Sequence, residues 1–293
     1  MTATPSEAEP GGRYVGIGDT RLYVVERGGG YPVLLLHGGP GDDHHEFGDY
    51  LDPLGDRYRL ILVDLRSQGR SDQAPESTWT LEQMAADVST LARALGLGRY
   101  AVLGHSYGAF VALQHAVMFS GQAAQTIISS GIPSARYLAH VERNLRTFEP
   151  IELRAQVADS WARESSARTQ EDFASIMRDQ MPFHFADPRD PRIADYEART
   201  AGTIYAPRVL QHFAKQEYGG IEVEDRLGAV TQPTLVLAGR HDRACSVEAA
   251  EAIAAGIQDA ELVVFEQSAH MTFVEEPEHY LDAVRSFLDR HTN

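Results

Sequence analysis

Apolar residues occur along this chain in short continuous runs that are separated by longer segments with helical spacing. The runs are residues 32–36, 60–63, 100–103, 126–128, 234–237 and 261–265. Continuous apolar runs of this length are typical of strands that are buried on both faces of a parallel sheet. Residues 81–95 and 110–119 instead repeat apolar positions at helical spacing. This alternation predicts βαβ units and an α/β fold with a mostly parallel central sheet flanked by helices.

The middle of the chain has a different pattern. Residues 134–228 contain no comparable apolar run and are predicted to form helices. The prolines expected to break these helices are Pro150, Pro182, Pro188, Pro191 and Pro207. The strand pattern resumes at residue 234. We therefore predict an α/β core of residues 1–132 and 229–293, interrupted by a helical cap domain of residues 133–228 that covers the active site.

The two ends of the chain complete this prediction. Residues 1–12 are polar, acidic and rich in glycine and proline, so we expect a flexible tail without a membrane or secretory segment. Two β-like runs at 14–17 and 21–26 flank Gly18 and Asp19, which predicts a hairpin. A final helix is expected to begin near Pro277.

Composition narrows the classes of partner. The 42 acidic and 26 basic residues give a formal net charge of -16, which argues against nucleic acid and anionic membranes as partners. The charge is consistent with plain solubility or with an acidic cavity that attracts cationic substrates. A single cysteine, Cys245, excludes an intrachain disulfide, and we expect a cytoplasmic protein acting on a small molecule or short peptide. The oligomeric state stays open.

A nucleophile motif follows the third of the apolar runs. Residues 104–108 read Gly-His-Ser-Tyr-Gly, a G-x-S-x-G pattern between a predicted strand and a predicted helix. This setting is the one in which a nucleophilic serine occupies a sharp strand-to-helix turn, as in the α/β-hydrolase fold. Ser106 is therefore the predicted nucleophile. Its neighbour His105 is expected to pack or support rather than to act as the base.

A glycine-rich loop after the run at 32–36 is the candidate oxyanion loop. It reads His37-Gly-Gly-Pro-Gly41. A tetrahedral intermediate needs two donors, and the backbone N–H of Tyr107 and that of Gly39 are the predicted pair. Gly38 is a further substrate-binding candidate, and His37 is expected to make structural hydrogen bonds.

The acid and the base are predicted from chain order. In this fold the serine comes first, the acid follows a late strand and the histidine follows the last strand. Asp242 and His270 meet these conditions. Asp64 also ends a strand but precedes Ser106, so we expect it to be structural and paired with Arg66 or Arg70.

No metal site is predicted. His44 and His45 are adjacent, but the sequence offers no carboxylate or cysteine pattern beside them, and we expect them to be exposed to solvent. No cofactor-binding motif is identified either, so the predicted chemistry uses side chains and backbone alone.

Together these motifs resemble the proline iminopeptidase (prolyl aminopeptidase) family. The similarity lies in the loop at 37–41, in Asp64-Leu-Arg-Ser-Gln-Gly-Arg-Ser71 and in the segment at 104–113. The resemblance covers residues of about 14–132 and 229–290 and is weak across the insertion. It implies cofactor-free hydrolysis of the bond that follows an N-terminal residue, often proline.

Two residues near the predicted site bear on this resemblance. Family members usually bind the substrate ammonium with acidic side chains, one of them next to the catalytic aspartate, where this chain has Arg243. An arginine there would repel an ammonium or bind a carboxylate. Glu217, late in the insertion, is the candidate acidic anchor, with a solvated surface glutamate as the alternative.

Several functions fit the motifs. The first is a serine hydrolase that forms an acyl-enzyme on small amide or aminopeptidase substrates. The second is an esterase, lactonase or carbon–carbon bond hydrolase with the same triad. A non-catalytic ligand-binding relative and cofactor-free oxygen or peroxide chemistry are the remaining alternatives.

Overall fold

A single eight-stranded sheet runs through the protein, of which the computed structural model describes residues 9–291. Its strands are β1 (Gly12–Gly16), β2 (Arg21–Gly28), β3 (Tyr31–Leu36), β4 (Tyr58–Val63), β5 (Ala101–His105), β6 (Gln125–Ser129), β7 (Thr234–Gly239) and β8 (Ala260–Phe265). The spatial order is β1-β2-β4-β3-β5-β6-β7-β8. β1 and β2 pair antiparallel, β2 also runs antiparallel to β4, and β3 to β8 are parallel. This confirms the predicted fold class.

Burial explains the apolar runs of the central strands. Every residue of β5, β6 and β7 is buried, because helices cover both faces of the sheet there. Alternate residues of β3 face opposite layers, with Leu34 packed in one apolar core and Leu35 in the other. β8 differs from the prediction of a fully buried strand. It lies at one edge of the sheet, and of its residues only Phe265 is buried.

Eleven α-helices surround the sheet in the described part of the chain. They are α1 (Leu81–Ala94), α2 (Tyr107–Met118), α3 (Ala139–Arg146), α4 (Ile151–Arg163), α5 (Gln170–His184), α6 (Arg192–Arg199), α7 (Pro207–Ala214), α8 (Glu217–Gly220), α9 (Val247–Gly256), α10 (Thr272–Glu275) and α11 (Pro277–His291), apart from short 3-10 turns. α1, α2 and α9 contribute to one apolar core, and α10 and α11 contribute to the other.

The local sequence explains where α1 and α2 begin. The Thr80 side chain accepts a hydrogen bond from the Gln83 N–H (3.1 Å) and so caps α1, as its position in the sequence suggested. α2 begins at Tyr107, three residues earlier than predicted, because the turn at Ser106 leads directly into the helix. No helix among residues 9–291 is long and apolar enough to cross a membrane.

The segment between β6 and β7 carries α3 to α8. Pro150 and Pro191 precede α4 and α6, and Pro207 is the first residue of α7, as expected of residues that start helices. Pro182 does not break its helix. It lies in the last turn of α5, where its missing N–H removes only one helical hydrogen bond.

The tail predicted for residues 1–12 lies largely outside the described residues. Within the described part, the Glu9 N–H donates to the Tyr23 hydroxyl (3.3 Å), and Gly12 begins β1. The predicted hairpin is present as β1 and β2, with Tyr14 opposite Tyr23.

Candidate active site

Ser106 stands on a strained turn between β5 and α2. Its backbone angles are φ 53° and ψ -119°, a region that residues other than glycine rarely adopt. The flanking glycines make this turn possible. A Cβ at Gly104 would lie 2.0 Å from the carbonyl oxygen of Gly108, and a Cβ at Gly108 would lie 2.1 Å from that of Leu36. The turn therefore projects Ser106 from the carboxyl edge of the sheet into a pocket beneath the inserted helices.

Asp242 and His270 meet at the same edge of the sheet. The loops after β7 and β8 bring His270 Nδ1 to 2.8 Å from Asp242 Oδ2. The other carboxylate oxygen accepts the backbone N–H groups of Ala244 (2.8 Å) and Cys245 (2.9 Å), which fixes the aspartate. With Nδ1–H donating to Asp242, Nε2 of His270 is left as a proton acceptor. His270 and Ser106 line the same pocket.

Two further histidines pack against His270. The rings of His105 and His184 each lie 5.0 Å from its ring, centroid to centroid. Burial lowers the pKa of both neighbours well below the usual histidine value, with the nearby His270 charge adding to the effect. They therefore stay neutral and add no positive charge beside His270. The backbone N–H of His270 also donates to the backbone carbonyl of His184 (3.0 Å), which connects the inserted helices to this loop.

The loop after β3 brings backbone close to Ser106. Gly39 has φ +103° and lines the pocket, and a Cβ there would lie 2.6 Å from the Gly41 nitrogen. Tyr107, the first residue of α2, has an N–H without an acceptor inside its helix. Gly38 is different, because its N–H donates to Glu46 Oε2 (2.5 Å) and it does not line the pocket. Gly38 therefore has no free backbone donor for a substrate.

The pocket walls are mainly apolar. Their larger apolar side chains are Phe110, Leu138, Val141, Trp161, Phe173, Met177, Met181, Leu210 and Met271. Most of these come from the insertion, which therefore shapes the cavity above Ser106 and His270.

The chain matches the family model described as alpha/beta hydrolase fold over residues 31–277. It belongs to the α/β-hydrolase fold family. It is 28% identical to a proline iminopeptidase of Heyndrickxia coagulans over 271 residues, which cover 90% of this chain and 92% of that protein. The predicted resemblance is thus confirmed, and the protein is a hydrolase.

The solved structures that are similar to this α/β hydrolase include enzymes with different activities. The crystal structure of proline iminopeptidase from Mycobacterium smegmatis has a TM-score of 0.74 and 27% identity, covering 96% of this chain and 98% of that chain. A thermophilic esterase from Thermogutta terrifontis has a TM-score of 0.75 and 26% identity, covering 96% and 99%.

Three carboxyl groups line the pocket of this hydrolase, and none of them was singled out by the sequence. Asp42 and Glu46 come from the loop after β3, and Glu164 comes from the insertion. Burial raises the pKa of Glu164 to about 7, although Tyr218 and Gln180 donate hydrogen bonds to it. Burial also raises the pKa of Asp42, with the charge of Asp43 adding to the effect, and that of Glu46, with Asp42 and Asp43 adding to it. Among residues 9–291, no lysine or arginine lines this pocket.

Asp42 differs from the other two carboxyls in its hydrogen bonding. Its Oδ1 is buried and has no hydrogen-bond partner in the described part of the chain. A buried carboxylate oxygen without a donor is costly, so a ligand that supplies a donor there is favoured. The position directly after the glycine-rich loop could have indicated this residue, whereas Glu164 lies in an insertion whose fold the sequence did not reveal.

Glu217 and Arg243, the two other residues predicted to bind substrate, do not line the pocket. Glu217 is exposed and does not line the pocket, although its neighbour Tyr218 does. The Arg243 guanidinium donates to the carbonyl oxygens of Phe183 (3.3 Å), Phe185 (2.6 Å) and Ala186 (3.1 Å). Arg243 therefore secures the insertion, and its side chain does not line the pocket.

Asp64 binds Arg70, one of the two partners expected, but through the backbone of Arg70 and together with His44. Its carboxylate accepts the Arg70 backbone N–H (2.7 Å) and the Nδ1–H of His44 (2.6 Å). Arg66 instead forms ion pairs with Asp87 (2.7 Å) and Asp19 (2.8 Å).

The solvent exposure predicted for His44 and His45 is wrong. The His44 side chain is fully buried and that of His45 is 18% exposed, because the N-terminal segment and the insertion pack against them. Glu9, His44 and His45 form a group, here called the His-Glu cluster, whose ligand atoms lie within 4.8 Å of one another. None of the three lines the active-site pocket.

Proposed function

We propose that this hydrolase is an aminopeptidase-like serine hydrolase that releases small apolar N-terminal residues through an acyl-enzyme. The observation that carries the proposal is the pocket itself. It combines Ser106 and His270 with three buried carboxyl groups and with no lysine or arginine among its described lining residues. Such a pocket favours a substrate that is positively charged close to the scissile carbonyl.

The first half of the reaction forms the acyl-enzyme. Ser106 Oγ attacks the substrate carbonyl carbon while His270 Nε2 takes the hydroxyl proton. The C–N bond then breaks, and the proton passes from His270 to the leaving amine. Asp242 keeps the Nδ1–H tautomer and stabilises the imidazolium, a role supported by its 2.8 Å hydrogen bond.

The second half returns the enzyme to its starting state. A water molecule gives a proton to His270 Nε2 and its oxygen attacks the acyl carbon. The ester bond to Ser106 breaks, and Ser106 Oγ recovers the proton from His270. In both halves the carbonyl oxygen becomes an oxyanion, for which the N–H groups of Gly39 and Tyr107 are the proposed donors.

The substrate ammonium is assigned to the carboxyl groups of Asp42, Glu46 and Glu164. Their raised pKa values mean that burial disfavours the charged form of each group when nothing is bound. A bound ammonium favours the carboxylate form and donates hydrogen bonds, and Asp42 Oδ1 has none otherwise. Trp161, Phe173 and other apolar walls of the pocket suit a small apolar side chain such as proline or alanine.

Arylamides of proline and alanine, each with and without an N-acetyl group, test this function on the purified protein. We expect the free amines to be cleaved at least about tenfold more efficiently, as charge-assisted hydrogen bonds of roughly 1.5–3 kcal/mol imply. A fluorophosphonate probe should label Ser106, whereas a non-catalytic ligand-binding protein would not react. Equal cleavage of both arylamides would contradict the ammonium assignment.

An esterase is the second candidate, and a specific observation favours it. When the three carboxyls are protonated, the pocket presents a nearly uncharged, apolar surface suited to an acyl chain. The similarity to an esterase of known structure at 26% identity supports this alternative. Faster cleavage of simple acyl esters than of any aminoacyl amide would select it, and lactones and carbon–carbon substrates belong in the same panel.

A further inference from the structure

The rings of His44 and His45 are each held by a buried aspartate. His44 Nδ1 lies 2.6 Å from Asp64 Oδ1, and His45 Nδ1 lies 2.9 Å from Asp43 Oδ1. The side chains of both aspartates are fully buried. Each carboxylate therefore keeps a proton on Nδ1 and leaves the lone pair on Nε2. Carboxylates hold metal-ligating histidines in this same way.

Both Nε2 atoms are directed at one carboxylate oxygen. Glu9 Oε2 lies 3.1 Å from His44 Nε2 and 3.7 Å from His45 Nε2. In tetrahedral zinc sites with bonds of roughly 2.0–2.2 Å, neighbouring ligand atoms are about 3.3–3.6 Å apart. The two distances bracket this range, so an ion between the three atoms would need only small shifts of the side chains.

Three acceptor atoms in such proximity repel one another unless a positive charge lies between them. A proton on His44 would bridge it to Glu9 but would leave the lone pair of His45 unmatched. Beside His45 the chain has Gly202, where a Cβ would lie 2.8 Å from Nε2. The glycine keeps this space clear. The His45 and Glu9 side chains are 18% and 24% exposed, which gives an ion access from solvent.

We propose that Glu9, His44 and His45 bind a divalent transition-metal ion of the zinc type, with water completing the coordination. Two imidazoles and one carboxylate suit zinc, whereas calcium and magnesium prefer oxygen ligands throughout. The ion would fasten the N-terminal segment to the loop after β3. Asp43 Oδ2 also accepts the Ile204 N–H (2.9 Å), so the aspartate that orients His45 also contacts the insertion. Because the His-Glu cluster does not line the active-site pocket, the role of the ion is structural.

Metal binding by the untagged, full-length protein tests this site. The protein is freed of metal with a chelator, desalted and titrated with Co2+ by absorbance, and with Zn2+ against a chromophoric chelator. The titrations are run at pH 8, because protons compete less with the metal for histidine and carboxylate ligands there. We expect one equivalent of Co2+ with the visible bands of a four-coordinate site, and a Tm that rises by roughly 3 °C with excess Zn2+.

Variants at the two accessible ligands give the decisive comparison. Glu9→Gln and His45→Asn should each weaken Zn2+ binding at least about tenfold, since even loss of a supporting group costs 10–100-fold. His279→Asn, at an exposed histidine elsewhere, should leave binding unchanged. Wild-type protein that binds Zn2+ no more tightly than Glu9→Gln and His45→Asn, or equal loss in His279→Asn, would overturn the proposal. The readouts do not use turnover, so they stand apart from the proposed enzymatic function.

Discussion

Among the aspartate–histidine pairs in the described part of the chain, Asp242–His270 and Asp64–His44 both lie at the carboxyl edge of the sheet, and their surroundings differ. In the pair proposed to be catalytic, His270 Nδ1 lies 2.8 Å from Asp242 Oδ2. In the second pair, His44 Nδ1 lies 2.6 Å from Asp64 Oδ1. Both aspartates also accept backbone N–H groups. The two pairs are therefore alike in how a carboxylate orients an imidazole.

The difference lies in what surrounds the second ring nitrogen. His270 lines a pocket together with Ser106, whereas the Nε2 of His44 is directed at Glu9 beside a second histidine. A proton acceptor next to a hydroxyl group suits general-base chemistry, and one next to other ligands suits a cation. The pair itself thus carries little functional information, and the group that it faces decides its chemistry.

Removal of the proposed nucleophile should have the largest effect. Ser106→Ala should lower kcat/KM on the best substrate by at least about 10³-fold, because no acyl-enzyme can form. Steady-state assays and fluorophosphonate labelling measure this, with circular dichroism as the check on folding. Activity within tenfold of wild type would remove Ser106 from the mechanism and make the two pairs equivalent.

Replacement of each aspartate by asparagine compares the contributions of the two pairs to kcat/KM. Asp242→Asn should lower kcat/KM about 10⁴-fold, since the amide no longer favours the correct His270 tautomer. Asp64→Asn should mainly reduce stability, because its carboxylate accepts several buried hydrogen bonds. The two variants are compared for kcat/KM at temperatures equally far below their Tm values. A larger chemical defect in Asp64→Asn would mean that the catalytic pair has been misassigned.

Replacement of Glu164 tests whether the pocket binds the substrate ammonium. Glu164→Gln should lower kcat/KM for a free aminoacyl arylamide by roughly 10–100-fold and leave the N-acetylated form nearly unchanged. Glu217→Gln is the matched control at an exposed site and should have no effect. A defect in the control alone would restore Glu217 as the residue that binds the ammonium.

The pH dependence of kcat/KM for the free aminoacyl arylamide should follow the ionisation of Glu164. Burial raises its pKa to about 7, so the group is a carboxylate above that pH and neutral below it. Ammonium binding needs the carboxylate, and the ratio of kcat/KM for a free amine to that for a simple ester should fall up to roughly tenfold from pH 8 to pH 6. The ratio cancels any pH dependence of the chemical steps that both substrates share. A ratio that Glu164→Gln leaves equally pH-dependent would assign the effect to another group.

Chelation should have the smallest effect on turnover. Dialysis against a chelator should leave kcat/KM within about twofold, because none of the proposed catalytic steps uses a metal and the His-Glu cluster is not part of the pocket lining. The Tm of zinc-loaded protein should fall in the same treatment. Activity restored only by added zinc or manganese would place a metal in the reaction.

Local sequence was informative wherever a short segment contains its own physical constraint. The strand-to-helix turn at Ser106 needs Gly104 and Gly108, because any side chain there would collide with backbone. The parallel sheet follows from apolar runs that need burial on both faces. Strand ends and chain order then placed Asp242 and His270 at one edge, where the structure brings them together.

Only the tertiary structure decided which segments distant in sequence contact one another. Glu164 and Asp42 line one pocket although 122 positions separate them, and Glu217, chosen from the sequence, is exposed. Glu9 reaches His44 from the N-terminal segment, which the sequence suggested would be a free tail. Local patterns report which residues are buried and which turns are possible. They do not report which distant side chain completes a site, because that depends on how an insertion and a chain end pack on the finished core.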